Sequence, residues 1–185
     1  MRVRVLLICM LFLSSCTTSI KVPVAEGLVI QYPPDFDIAL NKDGYAPKDW
    51  PGFVPQGESA ENWTLKLADR SDSSGAGLDP EQYFTTFAKQ VSEQCEGIEA
   101  YQGKSKEEAG SHTAFVGFIY CNKDKATGFG EVAAYRMISG EDAMYIVKMA
   151  KRVPPFTQDT KPTDINLEFM QTLVRNSKVC RGTKC

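Results

Sequence analysis

Apolar and polar positions fall into two periods along this chain, and the periods predict its elements. Period-two alternation marks strands. Trp63, Leu65 and Leu67 alternate with Thr64, Lys66 and Ala68. Met144, Ile146, Lys148 and Ala150 alternate with Tyr145, Val147, Met149 and Lys151. The apolar runs "SHTAFVGFIYCN" and "GFGEVAAYRMIS" predict two more strands, and "GIEAYQGKS" a weak one. "SGED" joins the last two strong strands as a tight hairpin. Upstream, a strand over residues 28–32 is stopped by two prolines, and "FVPQGESAENWTLKLADR" holds two strand-like pieces. Helical spacing appears twice. Asp79 is a good N-cap, Pro80 suits the first helical position, and Glu81 favours the positive end of the helix dipole. Tyr83, Phe84, Phe87, Val91 and Cys95 then form an apolar stripe. We read that stripe as core packing. After "PPFTQDTKP" breaks the sheet, Thr163 or Asp164 is positioned to cap a closing helix that carries Leu167, Phe169, Met170, Leu173 and Val174. The expected fold class is α+β: an antiparallel β-sheet with two main helices packed on it.

The first residues follow a different pattern. Arg2 and Arg4 precede an almost unbroken apolar run over residues 5–13, too short for the roughly 20 residues a membrane span needs. A positive start, a short apolar core and small residues before a cut site describe a secretory signal peptide. Leu13-Ser14-Ser15-Cys16 resembles the lipobox of bacterial lipoproteins. That resemblance implies lipidation of Cys16, cleavage before it, palmitate-type acylation of the new amino terminus, and attachment to a membrane by more than one acyl chain. One chain alone holds a protein only marginally and reversibly. Thr17 stands where inner-membrane retention in the enteric pattern uses aspartate, which implies the outer membrane, facing the periplasm. The expected organisation is a signal peptide over residues 1–15, a lipidated tether over 16–26 and a single periplasmic domain over 27–185.

Composition narrows the function. The chain has 21 basic and 23 acidic residues. Arg2 and Arg4 leave with the signal peptide, so the mature formal charge moves from −2 to −4. Basic residues are scattered among acids rather than clustered, which argues against a nucleic-acid surface. Cys9 leaves with the signal peptide. Cys95, Cys121, Cys180 and Cys185 remain, an even number in an oxidising compartment. Four cysteines allow three pairings. We expect Cys95–Cys121, tying a helix end to a strand, and Cys180–Cys185, closing the loop "CRGTKC". No metal site and no cofactor is expected, because there is one histidine and no CxxC pair.

The order of these elements resembles the PsbP-like architecture, shared by photosystem extrinsic proteins, nuclear-import factors of the Mog type and bacterial lipoproteins of the DcrB type. The stretches that carry the resemblance are "YPPDF", "DPEQYF", "GFIYC", "YRMI", "MYIV" and "LEFMQTLVRNS". Such a fold hosts unrelated functions. Catalytic signals are weak. His112 is the sole histidine, no serine sits in a GxSxG elbow, and "GFGEVA" lacks the third glycine of a nucleotide loop. Glu107 with Glu108, and Glu141 with Asp142, read as solvated turn residues. We therefore expect no enzyme and no catalytic residue. The expectation is a lipid-anchored envelope protein that binds a macromolecular partner, such as an immunity, secretion or assembly-associated lipoprotein. The alternative is a small-ligand carrier or enzyme using the sheet face near His112. Tyr45, Trp50 and Phe53 are the candidate partner-binding residues, in a segment rich in proline and glycine. Either they form an exposed anchor, or their loop folds back and buries them over the sheet.

Overall fold

The computed structural model describes residues 26–48, 50–109 and 111–181. The signal peptide, the lipobox with Cys16, residues 17–25 of the tether, and Cys185 lie outside the described residues. Within them the chain runs β1 (Glu26–Val29), β2 (Phe36–Ile38), β3 (Gly52–Pro55), β4 (Leu65–Asp72), α1 (Pro80–Gln94), β5 (Ile98–Ala109), β6 (His112–Cys121), β7 (Gly130–Ser139), β8 (Met144–Val153), α2 (Leu167–Arg175) and β9 (Lys178–Arg181). Seven strands form one antiparallel sheet in the order β2-β3-β4-β8-β7-β6-β5. The fold is α+β, with the two helices on opposite faces of that sheet.

Strand alternation sorts side chains onto the two faces. Arg70 pairs with Ile146, Ala68 with Lys148, and Tyr135 with Lys148, so these residues share one face. That face carries α1, whose Phe84 and Phe87 pack with Phe115, Ile119, Tyr135, Met137 and Ile146. A Cβ at Gly117 would collide with the Phe84 ring, so the glycine lets α1 sit close to β6. The opposite face carries Leu67, Val116, Ala134, Val147 and Met149, closed by Met170 and Val174 of α2.

Asp79 caps α1 as expected, accepting from the amides of Glu81 and Gln82 at 3.0 and 3.1 Å. The cap of α2 differs from expectation. It is Asn166, whose Oδ1 accepts from the Phe169 amide at 2.9 Å, and neither Thr163 nor Asp164. Phe169, expected on or near the buried face of this helix, is 42% exposed. The other end of α2 is held by Arg136, a buried β7 residue that donates to the carbonyls of Arg175 and Ser177, the latter at 2.7 Å.

Glu26, the last residue of the expected tether, is the first residue of β1, and β1 pairs with β9 in a separate two-stranded ribbon. The Glu26 side chain is almost fully enclosed. Its Oε2 accepts from the amides of Glu141 and Asp142 at 2.8 and 3.2 Å, at the tip of the β7–β8 hairpin. Its own amide donates to the Asp142 carboxylate at 3.2 Å. The described chain thus begins pinned to one end of the sheet.

Candidate functional site

The three aromatic candidates do not form one anchor. Tyr45 follows a turn closed by Asn41, whose Oδ1 accepts from the Asp43 and Tyr45 amides, and its side chain is 71% exposed. Trp50 folds back, packing against the α1-side core. Phe53 is on β3 and packs on the α2 side, with Tyr32 stacked on it at 4.2 Å and 9° between planes. The sheet separates Trp50 from Phe53. For Trp50, the loop lies over the sheet; for Tyr45, it stays open to solvent.

Cys95 and Cys121 are disulfide-bonded, with Cα atoms 5.6 Å apart. The bond joins the C-cap of α1 to the end of β6, and both cysteines are buried. Cys180, in β9, is also disulfide-bonded, while its expected partner Cys185 lies outside the described residues. His112 opens β6 at the hairpin end of the sheet. Its Nδ1 lies 3.2 Å from the Ser139 carbonyl, and its Nε2 lies 3.7 Å from the Glu26 carboxylate. Glu141 is in the same corner and bonds Arg181 at 2.8 Å. No group of three histidine, cysteine, aspartate or glutamate side chains among the described residues is arranged to hold a metal ion.

Two features stand out. One is an apolar edge. Strand β2 is the outermost strand of the seven, paired only with β3. Ile38 faces Phe53 directly across that pair. Ile38 is 57% exposed and Tyr32 51%. Tyr32, Phe53 and Ile38 therefore form a solvent-facing apolar strip at the sheet edge, flanked by the exposed carboxylates of Asp35 and Asp37.

The other is a cleft on the α1 face. It lies between α1 and the Trp50 loop, with a cavity of about 120 Å³ and the Cys95–Cys121 bond in its wall. Its floor holds Arg70, Glu131, Tyr135 and Lys148. Lys148 Nζ lies 2.6 Å from Glu131 Oε1. Burial works against the Lys148 charge, but Glu131 and Tyr135 outweigh it and hold its pKa above the usual lysine value. Burial pushes the Tyr135 hydroxyl up to about 12. Arg70 lies 4.9 Å from the centre of the Trp50 ring and 5.3 Å from that of Phe87. Lys148 approaches the same Trp50 ring at 5.6 Å. Such cation–π contacts stabilise both ring and cation. His112 is not part of this cleft, which lies toward the far end of the sheet.

No family model matches the sequence, and no curated protein is significantly similar to it. Solved structures do resemble it. The Ran-binding protein Mog1p of Saccharomyces cerevisiae is 13% identical, over 83% of this chain and 95% of that one, with a TM-score of 0.49. Cyanobacterial PsbP from Synechocystis is 13% identical, over 90% and 98%, with a TM-score of 0.46. LpqN, involved in cell envelope biogenesis of Mycobacterium tuberculosis, is 10% identical, over 86% of each chain, with a TM-score of 0.40. The likeness is one of fold. It leaves the site to be read from its own residues.

The Lys148–Glu131 pair yields a direct expectation. Lys148→Met strands the Glu131 carboxylate in the cleft wall. Breaking a buried pair on one side costs about 3–5 kcal/mol, and the residual exposure of both side chains here lowers the expected loss to about 2 kcal/mol. Adding Glu131→Gln to the same chain should restore most of it. Urea melts of the single and double variants check this; a double variant no more stable than the single one would show that the carboxylate was not the source.

Proposed function

We propose that this chain is a lipid-anchored protein of the bacterial cell envelope that acts without catalysis, by binding a protein partner in the periplasm. The anchor rests on the Leu13-Ser14-Ser15-Cys16 sequence behind its short apolar run, and Thr17 favours the outer membrane. The observation that carries partner binding is the apolar edge. Contiguous exposed apolar surface beside an edge strand is costly for a solitary protein and suits an extended segment of another chain. Backbone hydrogen bonds to β2 would supply affinity, and the Tyr32–Phe53–Ile38 strip would supply side-chain recognition.

A photo-crosslinking residue at Ile38 tests the binding in intact envelopes, with Glu93, exposed on α1, as the control position. We expect a discrete product from position 38 that is absent from position 93 and is lost when Tyr32→Asp is added. Interface anchors can carry about 2 kcal/mol or more, so binding of the isolated partner should weaken at least tenfold in Tyr32→Asp. The same products from both positions, or none from either, would remove the edge as the binding surface. For the anchor, Cys16→Ser should abolish labelling by a fatty-acid analogue. Unchanged labelling would reject lipidation at that cysteine.

A further inference from the structure

Net charge and exposed apolar surface fall on the same stretch of this chain. The whole chain carries −2, and setting aside Arg2 and Arg4 leaves −4 on residues 16–185. Residues 31–61 hold six acidic and two basic residues, which is also −4. The excess negative charge therefore sits in the segment that builds β2, β3 and their loops, and the remainder is balanced. Of the eight large apolar side chains exposed among the described residues, Tyr32, Ile38, Leu40 and Tyr45 lie in this same segment. Among the described residues, neither Asp35 nor Asp37 takes part in an ion pair.

The register of β2 places these charges. Ala39 donates to the Gly52 carbonyl at 2.8 Å. Facing pairs in an antiparallel ladder alternate between bonded and non-bonded. The next pair, Ile38 with Phe53, is therefore non-bonded, and Ile38 turns its N–H and C=O to the open side of β2. An antiparallel strand laid along that side takes both bonds at the residue facing Ile38. That residue's side chain joins Ile38 on the α2 face. Its neighbours in sequence point to the α1 face, and one of them faces Asp37. Asp35 is two residues before Asp37, in the same alternation.

We infer that the partner segment taken by the β2 edge is basic: an extended stretch in which arginine or lysine alternates with apolar residues. Its apolar side chains lie on Tyr32, Phe53 and Ile38, and its cations face Asp37 and Asp35. This rests on the edge reading above and adds the chemistry of the occupant. Opposite charges on facing residues stabilise a strand pair, and like charges destabilise it. A second copy of this chain would add its own Asp35 and Asp37 to the same edge, so self-pairing gathers like charge.

The test uses the full-length chain in non-ionic detergent, with the photo-crosslinking residue at Ile38, and three capped heptapeptides. One alternates arginine with valine, the second carries neutral citrulline in place of arginine, and the third carries glutamate. We expect the arginine peptide to crosslink at position 38 and not at position 93. It should bind about fivefold or more tightly than the citrulline peptide in fluorescence polarisation, and the glutamate peptide should bind weakest. Added sodium chloride should narrow the gap between the first two. Asp35→Asn/Asp37→Asn should abolish that gap, Glu93→Gln should preserve it, and Asp37→Lys should move the preference toward the glutamate peptide. All three substituted side chains are exposed, so these variants should fold. Equal binding of the arginine and citrulline peptides, or a gap that survives in Asp35→Asn/Asp37→Asn, overturns the basic partner. So does the absence of any peptide crosslink at position 38, or an envelope product there that is a second copy of this chain. None of these outcomes removes the edge as a binding surface, which falls only if the envelope crosslinks at position 38 fail.

Discussion

Phe84→Ala is expected to lower stability by about 3–5 kcal/mol, the range for removing a buried phenylalanine. Phe84 is 1% exposed and holds α1 to the sheet. Its ring centre lies 5.3 Å from that of Phe115 and 6.4 Å from that of Tyr135, and it covers Gly117. The neighbours are fixed in strands and cannot collapse into the space. At about 2–4 °C per kcal/mol for a domain of this size, the melting temperature should fall by roughly 6–20 °C. Phe169→Ala is the matched control. The same side chain is lost from α2, but from a position 42% exposed, and the change should stay under about 1 kcal/mol. Equal losses in the two variants would mean that α1 is not packed on β6 as described.

The second large effect belongs to the disulfide. Cys95 and Cys121 are 26 residues apart, and closing a loop of that length removes unfolded-state entropy worth about 3.5 kcal/mol. The chain with both cysteines changed to alanine should lose close to that amount in urea. A reductant should destabilise the parent by at least that amount and the double variant only by the share of the remaining Cys180 bond. The backbone around the bond limits how far the native state relaxes, because Glu96 donates to the Lys123 carbonyl and Asn122 to the Gly97 carbonyl, both at 2.8 Å. A double variant as stable as the parent would show that these contacts, rather than the bond, hold the helix end to the strand.

The fold was legible where a local rule and the tertiary structure agree. Asp79-Pro80-Glu81 opens a helix by capping, proline geometry and dipole together. The apolar strands β6, β7 and β8 are central in the sheet, so their burial dictates their composition. The signal weakened or vanished where elements need little burial. Strand β5 extends over twelve residues, yet much of its sequence is polar because it is an edge strand. Strand β9 is four residues long and follows a helix directly, leaving no period to read. The cap of α2 moved to Asn166 because three nearby residues could each have served, and only the course of the loop chooses between them.

The cleft left one signal that could have been followed. Lys148 falls in the same register as Met144, Ile146 and Ala150, so alternation alone places a lysine on a buried face. An inward lysine needs a partner, and Glu131 is one strand away. Arg70 gave no such warning, because its strand alternates less cleanly. Trp50 and Phe53 could not be assigned to opposite sides without the sheet between them. Of the candidate residues, the Cys95–Cys121 pair was legible from helix and strand ends alone.

The Glu26 pin gives the molecule a top and a bottom. The described chain enters the domain at the β7–β8 hairpin tip. Strands rise about 3.3 Å per residue, so β8, from Met144 to Val153, carries the chain roughly 30 Å away from that point. Glu131 and Arg152 are paired at the distal end. Under the proposed anchoring, the hairpin tip is the end of the domain nearest the tether, and the cleft opens further up the sheet, with Lys148 about 13 Å along β8 from Met144.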